Sequence, residues 1–469
     1  MMRFSLILSV AALAGGCSLA PEYQRPAVPV AAQYPDYGQA SGSWTIADIA
    51  WRHFYRDPLL QELIGQALAN NRDLRIAALN VEAARATYRI QRGEAFPSLT
   101  ADGSGTVQRT PADLAAGGES VVSRSYAAGA TLSWELDLFG RMRSLNQQAL
   151  ELYLAQDETR VAARLALIGE TASAWLTLQA DAELLQLAES TLDAQRSAFQ
   201  LVDKSYQQGV ATALDRSQAE VGVSTAQRDV ARYQRQRRQS INALILLLGQ
   251  PPSPAMDLRL RQLAALPDDI LPAEIPAGLP ADLLRRRPDI RAAEHQLQAA
   301  NANIGAARAA FFPGIVLTGS GGSASAGLDN LFSSGSGTWS FTPQIRLPIF
   351  SGGALRAGLD LAQVQKRIEV ARYEQAIQQA FRETADALAG RDTLDAQILM
   401  QNRLVAATQR SYDLSLQRFQ QGIDNYLSVL DSQRALYAAQ QDLVNIRLAR
   451  LLNLVDLYRA LGGGWQEEA

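Results

Sequence analysis

The chain has 469 residues, 47% of them hydrophobic and only 19% charged, so apolar material for a large core is ample. With 44 basic against 47 acidic residues and a formal net charge of -3, it lacks the basic excess that would neutralise a phosphate backbone, and no nucleic acid is expected as a partner. The lone cysteine, Cys17, excludes a disulfide within the chain.

In chain order, the first element is a secretory signal over residues 1–16: Arg3, an apolar stretch from Phe4 to Leu13, then Ala14, Gly15 and Gly16. Small residues directly before a lone cysteine resemble a bacterial lipobox, in which cleavage at Cys17 is followed by acylation of the new N-terminus. The usual leucine is displaced, since Leu13 lies four residues before Cys17, and an incidental cysteine in an ordinary signal peptide stays open as the plainer reading. Ser18 rather than Asp after the cysteine implies, by the same resemblance, sorting to the outer membrane. Pro21, Pro26 and Pro29 forbid regular helix, so an extended, lipid-anchored segment is expected over 17–57.

The rest of the chain repeats itself. Asp73-Leu74-Arg75 and Phe96-Pro97 return as Asp289-Ile290-Arg291 and Phe312-Pro313, and Gln207-Gln208-Gly209-Val210 returns as Gln420-Gln421-Gly422-Ile423. This divides the chain into a first structural repeat over 58–250, a linker over 251–280, a second repeat over 281–464 and a tail over 465–469. Each repeat predicts a helix, a strand hairpin (96–138 and 312–349), a very long helix, a glycine turn and a returning helix. The helices are expected over Leu59–Glu94, Arg141–Gln208 and Ala211–Leu248, then Pro288–Ala310, Gly353–Gln421 and Asp424–Leu461. Neither long stretch holds a proline, and at about 1.5 Å per residue each would reach on the order of 100 Å. Leu430, Tyr437, Val444, Leu451 and Tyr458 recur every seventh residue, and Val161, Leu165, Ile168, Ala172 and Trp175 follow the same seam, a packing stripe of coiled-coil type.

Four segments alternate with period two: Ser98–Gln108, Tyr126–Leu138, Ile315–Ser320 and Trp339–Ile349. Each presents an apolar face suited to lipid and a polar face suited to water, and Tyr126, Trp134, Trp339 and Phe341 are the expected membrane-interface aromatics. No later apolar run is long enough for a helical span, so any crossing must be made by strands. Four strands cannot close a barrel, and a lone apolar sheet would expose bare backbone edges to lipid, so association of chains is required.

SWELDLFGRMR at Ser133–Arg143, LPADLLRRRPDIR at Leu279–Arg291 and YLSVLDSQR at Tyr426–Arg434 resemble motifs of the TolC/OprM family of outer-membrane efflux factors, and the likeness runs through the whole chain. The resemblance implies a mainly α fold with a membrane β-barrel portion: a homotrimer whose 12-stranded barrel continues as a long α-helical periplasmic barrel. It further implies a passive outlet for small toxic compounds, supplied by an inner-membrane proton-driven efflux transporter through a periplasmic adaptor protein, with no catalysis and no cofactor. Outer-membrane lipids would surround the barrel. The adaptor would dock at the turns carrying Gly209 and Val210 and Gly422 and Ile423, and the periplasmic gate would be Leu427, Asp431 and Arg434, which spacings of 4 and 3 set on one helical face.

Rival readings find less in the residues. His53 and His295 stand without any zinc-protease or serine-hydrolase motif, a coiled-coil rod leaves the strands unexplained, and 5 Met and 2 His offer no obvious relay for a metal-cation outlet. Within channels, an outlet for metal cations or secreted polypeptides stays open.

Overall fold

The computed structural model describes residues 19–34, 49–263, 265–267, 270–272 and 286–464, apart from the side chain of Asp392. The signal, Cys17, the end of the linker and the 465–469 tail lie outside the described residues. Described in chain order, the elements are α1 (Trp51–Phe54), α2 (Pro58–Asn70), α3 (Arg72–Gly93), β1 (Ser98–Thr110), β2 (Val121–Leu136), α4 (Arg141–Gln207), α5 (Ala213–Leu248), α6 (Pro254–Arg261), α7 (Pro288–Ala309), β3 (Gly314–Ser325), β4 (Gly337–Arg346), α8 (Ala354–Gln420) and α9 (Tyr426–Ala460). Both α4 and α8 are 67 residues long, so the duplication read from sequence holds in element order and in helix length.

Several boundaries differ from expectation for local reasons. The first helix breaks at Asn71, whose extended backbone ends α2, while its Oδ1 accepts from Leu74 N (3.0 Å) to cap α3. Its Nδ2 donates to Leu247 O at 3.0 Å, and Gly249 (φ +69°) meets the Asn70 backbone where no Cβ fits. Strand β4 stops at Arg346, opposite Gly314 where its one partner β3 begins, and as an edge strand it tolerates Pro343 within it. Strand β3 runs to Ser325 because its glycine and serine stretch is paired on both sides, which outweighs its poor strand propensity. The 17–57 segment contains the one-turn helix α1, and the linker holds α6, capped by Ser253.

The chain forms two compact units, each drawing on both sequence repeats. One contains the described residues up to Ala27 with Asn80–Asp157 and Ala292–Glu374. In it the proline-bearing stretch 19–27 forms no regular structure, and α7 side chains satisfy its backbone: Asn301 Nδ2 donates to Pro21 O (2.8 Å) and Arg308 Nη1 to Leu19 O (3.0 Å). Arg25 grips Glu294 through two 2.8 Å bonds, and Tyr23 OH donates to Glu294 at 3.0 Å. Gly305 is required there, since a Cβ would lie 2.8 Å from that of Ala20.

The other unit contains Val28–Leu79, Glu158–Arg291 and Gln375–Ala469, within the described residues. Most of its expected seam is buried, with Leu165, Ile168, Ala172, Trp175, Leu430, Val444, Leu451 and Tyr458 in the core, while Val161 and Tyr437 are only half-buried. Tyr458 stacks on Phe54 (centroids 3.9 Å apart) and donates to Ile49 O at 2.7 Å. Arg287, nearly buried, bonds Asp289 (2.6 Å), Glu383 (2.8 Å) and Ala460 O (3.1 Å). Burial alone would lower the Arg287 pKa, but these carboxylates outweigh it and raise it. Asp181 is pushed up by burial, opposed by the hydroxyl of Ser240 at 2.5 Å.

Candidate pore wall, tips and gate

The four strands form one antiparallel sheet in the order β1-β2-β3-β4, leaving β1 and β4 as open edges. Cross-strand partners share a face, so register decides whether the four apolar stripes coincide. They do. Leu99, Leu132, Gly319 and Phe341 form one row, and Ala101, Ala130, Gly321 and Trp339 the next. The opposite face reads Thr100, Thr131, Ser320, Ser340 and then Ser98, Ser133, Thr318, Thr342, a wall of hydroxyls in which Ser320 and Ser340 bond at 2.7 Å.

On the apolar face, Tyr126 and Trp134 lie about 27 Å apart along β2 at roughly 3.4 Å per residue. At a strand tilt of about 40° this projects to about 21 Å along the barrel axis, within the roughly 25 Å apolar band of a membrane barrel. Trp134 Nε1 donates to Ala95 O at 3.2 Å, and Gly105 leaves room for the Tyr126 ring, since a Cβ would meet it at 3.1 Å. Trp339 and Phe341, 82% and 62% exposed, fall in rows between those two levels rather than at either rim.

Below the sheet, Glu135 accepts from Arg141 in a bidentate pair (2.8–3.1 Å), and Asp137 accepts from Met142 N (3.1 Å) and Arg143 N (2.9 Å), capping the first turn of α4. Gly140 takes φ +73°, and Phe139 stacks on Phe312 at 4.8 Å. The residues of the Ser133–Arg143 motif are thus the chemistry of one strand-to-helix exit.

The two helix reversals share one geometry. At the first, Gly209 (φ +77°) donates to Tyr206 O and Val210 to Ser205 O; at the second, Gly422 (φ +71°) donates to Phe419 O and Ile423 to Arg418 O, each at 2.9 Å. Both are Schellman turns, which need a left-handed residue that glycine supplies without strain. Val210 and Ile423 are exposed, and nothing lies within 4 Å of a Cβ at either glycine. The returning helices begin differently: Thr212 and Asp215 form a capping box at α5, whereas Asn425 makes no side-chain cap at α9. There Arg418 clasps Asp424 (2.6 and 2.9 Å), holding that carboxyl below its usual range. One core, built from Val202, Ala219, Tyr426, Val429 and Leu430 with Phe199 and Phe419 against it, packs the two reversals together.

Leu427, Asp431 and Arg434 occupy the outer face of α9, opposite buried Val429, Leu430, Gln433 and Leu436. Arg434 stands 3.8 Å from Asp431, with both side chains more than half exposed. Among the described residues no helix is long and apolar enough to cross a membrane, and no three His, Cys, Asp or Glu side chains converge as a metal site.

A model of the outer membrane efflux protein family matches residues 63–250 and 279–463, most of the chain. The chain belongs to the outer membrane efflux protein family. Its curated relatives include the antibiotic efflux pump outer membrane protein ArpC of Pseudomonas putida, 50% identical over 475 residues, covering 100% of this chain and 97% of the relative. The toluene efflux pump outer membrane protein TtgC of Pseudomonas putida matches to the same extent, 50% over 475 residues with 100% and 97% covered. Among solved structures, the open state of the Neisseria gonorrhoeae MtrE outer membrane channel superposes with a TM-score of 0.86 at 39% identity, covering 96% of this chain and 99% of that one. This member of the outer membrane efflux protein family is therefore a channel protein of the outer membrane with the internally duplicated TolC-like fold.

Two features of this efflux protein escaped the sequence reading. The Arg25–Glu294 grip and the Arg287 network carry no periodic signal; a half-exposed arginine on a buried carboxylate reveals the first, and a buried arginine beside two carboxylates the second. The Arg-Arg-Arg-Pro-Asp run at 285–289 was the available hint, since Arg287 and Asp289 fall within the matched motif.

Proposed function

We propose that three copies of this chain join edge to edge, β4 of each beside β1 of the next, into a twelve-stranded barrel that passively conducts small toxic compounds out of the cell. The observation that carries this is the coincidence of the four strand faces, apolar on one side and hydroxyl-lined on the other, in a sheet with two open edges. Lipid satisfies the first face and water the second, while unpaired edges in lipid would each cost several kcal/mol per backbone group. Aromatic residues Tyr126 and Trp134 anchor the two membrane boundaries, with Trp339 and Phe341 in the band between, and acylated Cys17 supplies a second hold.

The cargo is read from the relatives, one an antibiotic efflux pump protein and one a toluene efflux pump protein, which together point to small compounds of more than one kind. No chemistry is done on them. A periplasmic adaptor, fed by a proton-driven inner-membrane transporter, docks at Val210 and Ile423 beyond Gly209 and Gly422, and Leu427, Asp431 and Arg434 narrow the periplasmic mouth. The test is a deletion strain challenged with antibiotics and toluene, combined with electrophoresis of detergent-extracted protein before and after boiling. Heightened sensitivity restored by the gene, with a heat-dissociable trimer, is the expected result; unchanged tolerance or a monomer in detergent overturns the reading.

A further inference from the structure

The hydroxyl face of the sheet is almost free of charge. On that face the ionisable side chains are Asp102 on β1, Glu135 on β2 and Arg346 on β4, while Arg109 and Arg124 fall in register with the apolar face. Glu135 is neutralised by its bidentate bond to Arg141. Arg346 and Asp102 make no ion pair among the described residues; Asp102 only accepts from Thr100 Oγ1 at 3.1 Å. The two uncompensated charges sit at different levels. Arg346, opposite Gly314, is at the foot of the sheet, lining a cavity with Glu135, Arg141, Phe139, Phe312 and Gln344. Asp102 shares its row with Gly129, Gly322 and Thr338, higher up the wall. Counted along β2 the rows are about 27 Å apart at roughly 3.4 Å per residue, more than twice the Debye length of about 10 Å at 0.1 M salt.

We infer that Arg346 and Asp102 act as two opposed charge filters in series, a cationic ring at the foot of the barrel and an anionic ring further along it, which together hold the ion preference of the pore near balance. This rests on the reading of the hydroxyl face as the wall of a threefold pore. Each residue then appears three times around the axis, and rings of like charge bias the passing ion in the way that charged rings govern other pores. Because the rings lie beyond each other's screening distance, neither cancels the other locally. Cargo of either sign meets one favourable ring and one unfavourable ring, and uncharged cargo is held by neither, which suits an outlet for chemically mixed compounds.

The test is the reversal potential of purified protein in planar bilayers under a KCl gradient. Arg346→Gln removes the cationic ring and is expected to raise the cation-to-anion permeability ratio about threefold, the size set by three unit charges about 10 Å from an aqueous axis under partial screening. Asp102→Asn lowers the ratio by a similar factor, and the double variant returns near the wild-type value. Single variants that form channels of wild-type conductance with the wild-type reversal potential overturn the inference. A separate arm checks the wall itself: a charged thiol reagent should reduce current through Ser340→Cys on the hydroxyl face but not through Phe341→Cys on the apolar face. Block at Phe341→Cys alone, or at neither, sinks the pore-wall reading and the charge filters with it; block at Ser340→Cys alone leaves the filters to be judged on the reversal potentials.

Discussion

Removing Arg434 or Asp431 separates a surface ion pair from a gate. In this structure the two groups stand 3.8 Å apart, more than half exposed, on adjacent turns of α9. A pair of that kind adds about 0.2–0.5 kcal/mol to its own helix, so three copies sum to at most about 1.5 kcal/mol, a shift of about twelvefold in an open-to-closed ratio. If the pairs act only within their helices, that is the ceiling for Arg434→Ala and for Asp431→Ala. If the face bearing Leu427, Asp431 and Arg434 closes the periplasmic mouth, the carboxylates come together around the axis, and each variant raises single-channel conductance beyond that ceiling. The double variant then shows less than the sum of the singles, because each has already removed the shared contact. Recordings at about 0.1 M and about 1 M salt sharpen the distinction, since screening should erase most of the difference at the higher value. Helix content by circular dichroism should be unchanged in all three. Wild-type conductance in both single variants at both salts would refute the gate and leave only an exposed pair.

Gly209→Val and Gly422→Val each place a β-branched residue at positive φ with open space around it, so the cost is backbone strain alone, about 1–2 kcal/mol per site. Crosslinking to the adaptor should weaken while the trimer survives; normal crosslinking and resistance in both variants would remove the docking assignment. Arg287→Ala strands Asp289, Glu383 and the Ala460 carbonyl, and with both carboxylates partly exposed the loss should be about 2–3 kcal/mol, lower than for a fully buried pair. Thermal melts followed by ellipticity should show Arg287→Met recovering part of that loss, and equal melting of all three proteins would count against the network. At the second tip, Arg418 depresses the Asp424 pKa, so this contact stabilises the tip above the ordinary carboxylate range and is lost as pH falls through the lowered value. Hydrogen exchange at Ile423 and Tyr426, corrected for its intrinsic pH dependence, should stay constant from neutral pH down to about 4 and rise only below it. An earlier rise would point to another titrating group.

The tips were legible as turns because a glycine after a long helix has one economical conformation, and both Gly209 and Gly422 adopt it. Their difference was not legible: the Thr212–Asp215 box and the Arg418–Asp424 clasp depend on how each chain leaves its turn. Leu427, Asp431 and Arg434 share a face by helical geometry alone, but the structure adds that this face is the one left uncovered, with Val429, Leu430, Gln433 and Leu436 taking the packed side. The break at Asn71 was missed because asparagine within a polar helical run has no periodic signature; its side chain stops the helix by bonding Leu247, 176 positions away.

By itself the sequence determined everything that repeats with a local period: the twofold duplication, the seven-residue seam, the alternation of each strand and the glycine turns. These follow from where consecutive side chains point, which covalent geometry dictates within a few residues. Only the tertiary structure decided that the four apolar strand faces coincide. Strand β2 pairs with β3 across almost the whole intervening α4–α7 stretch, and a slip of one residue would have turned one hairpin's apolar stripe onto the other's hydroxyls. That register includes the pairing of Gly129 with Gly322, where the absence of both side chains lets the two backbones approach, and no local pattern in either hairpin records the position of the other.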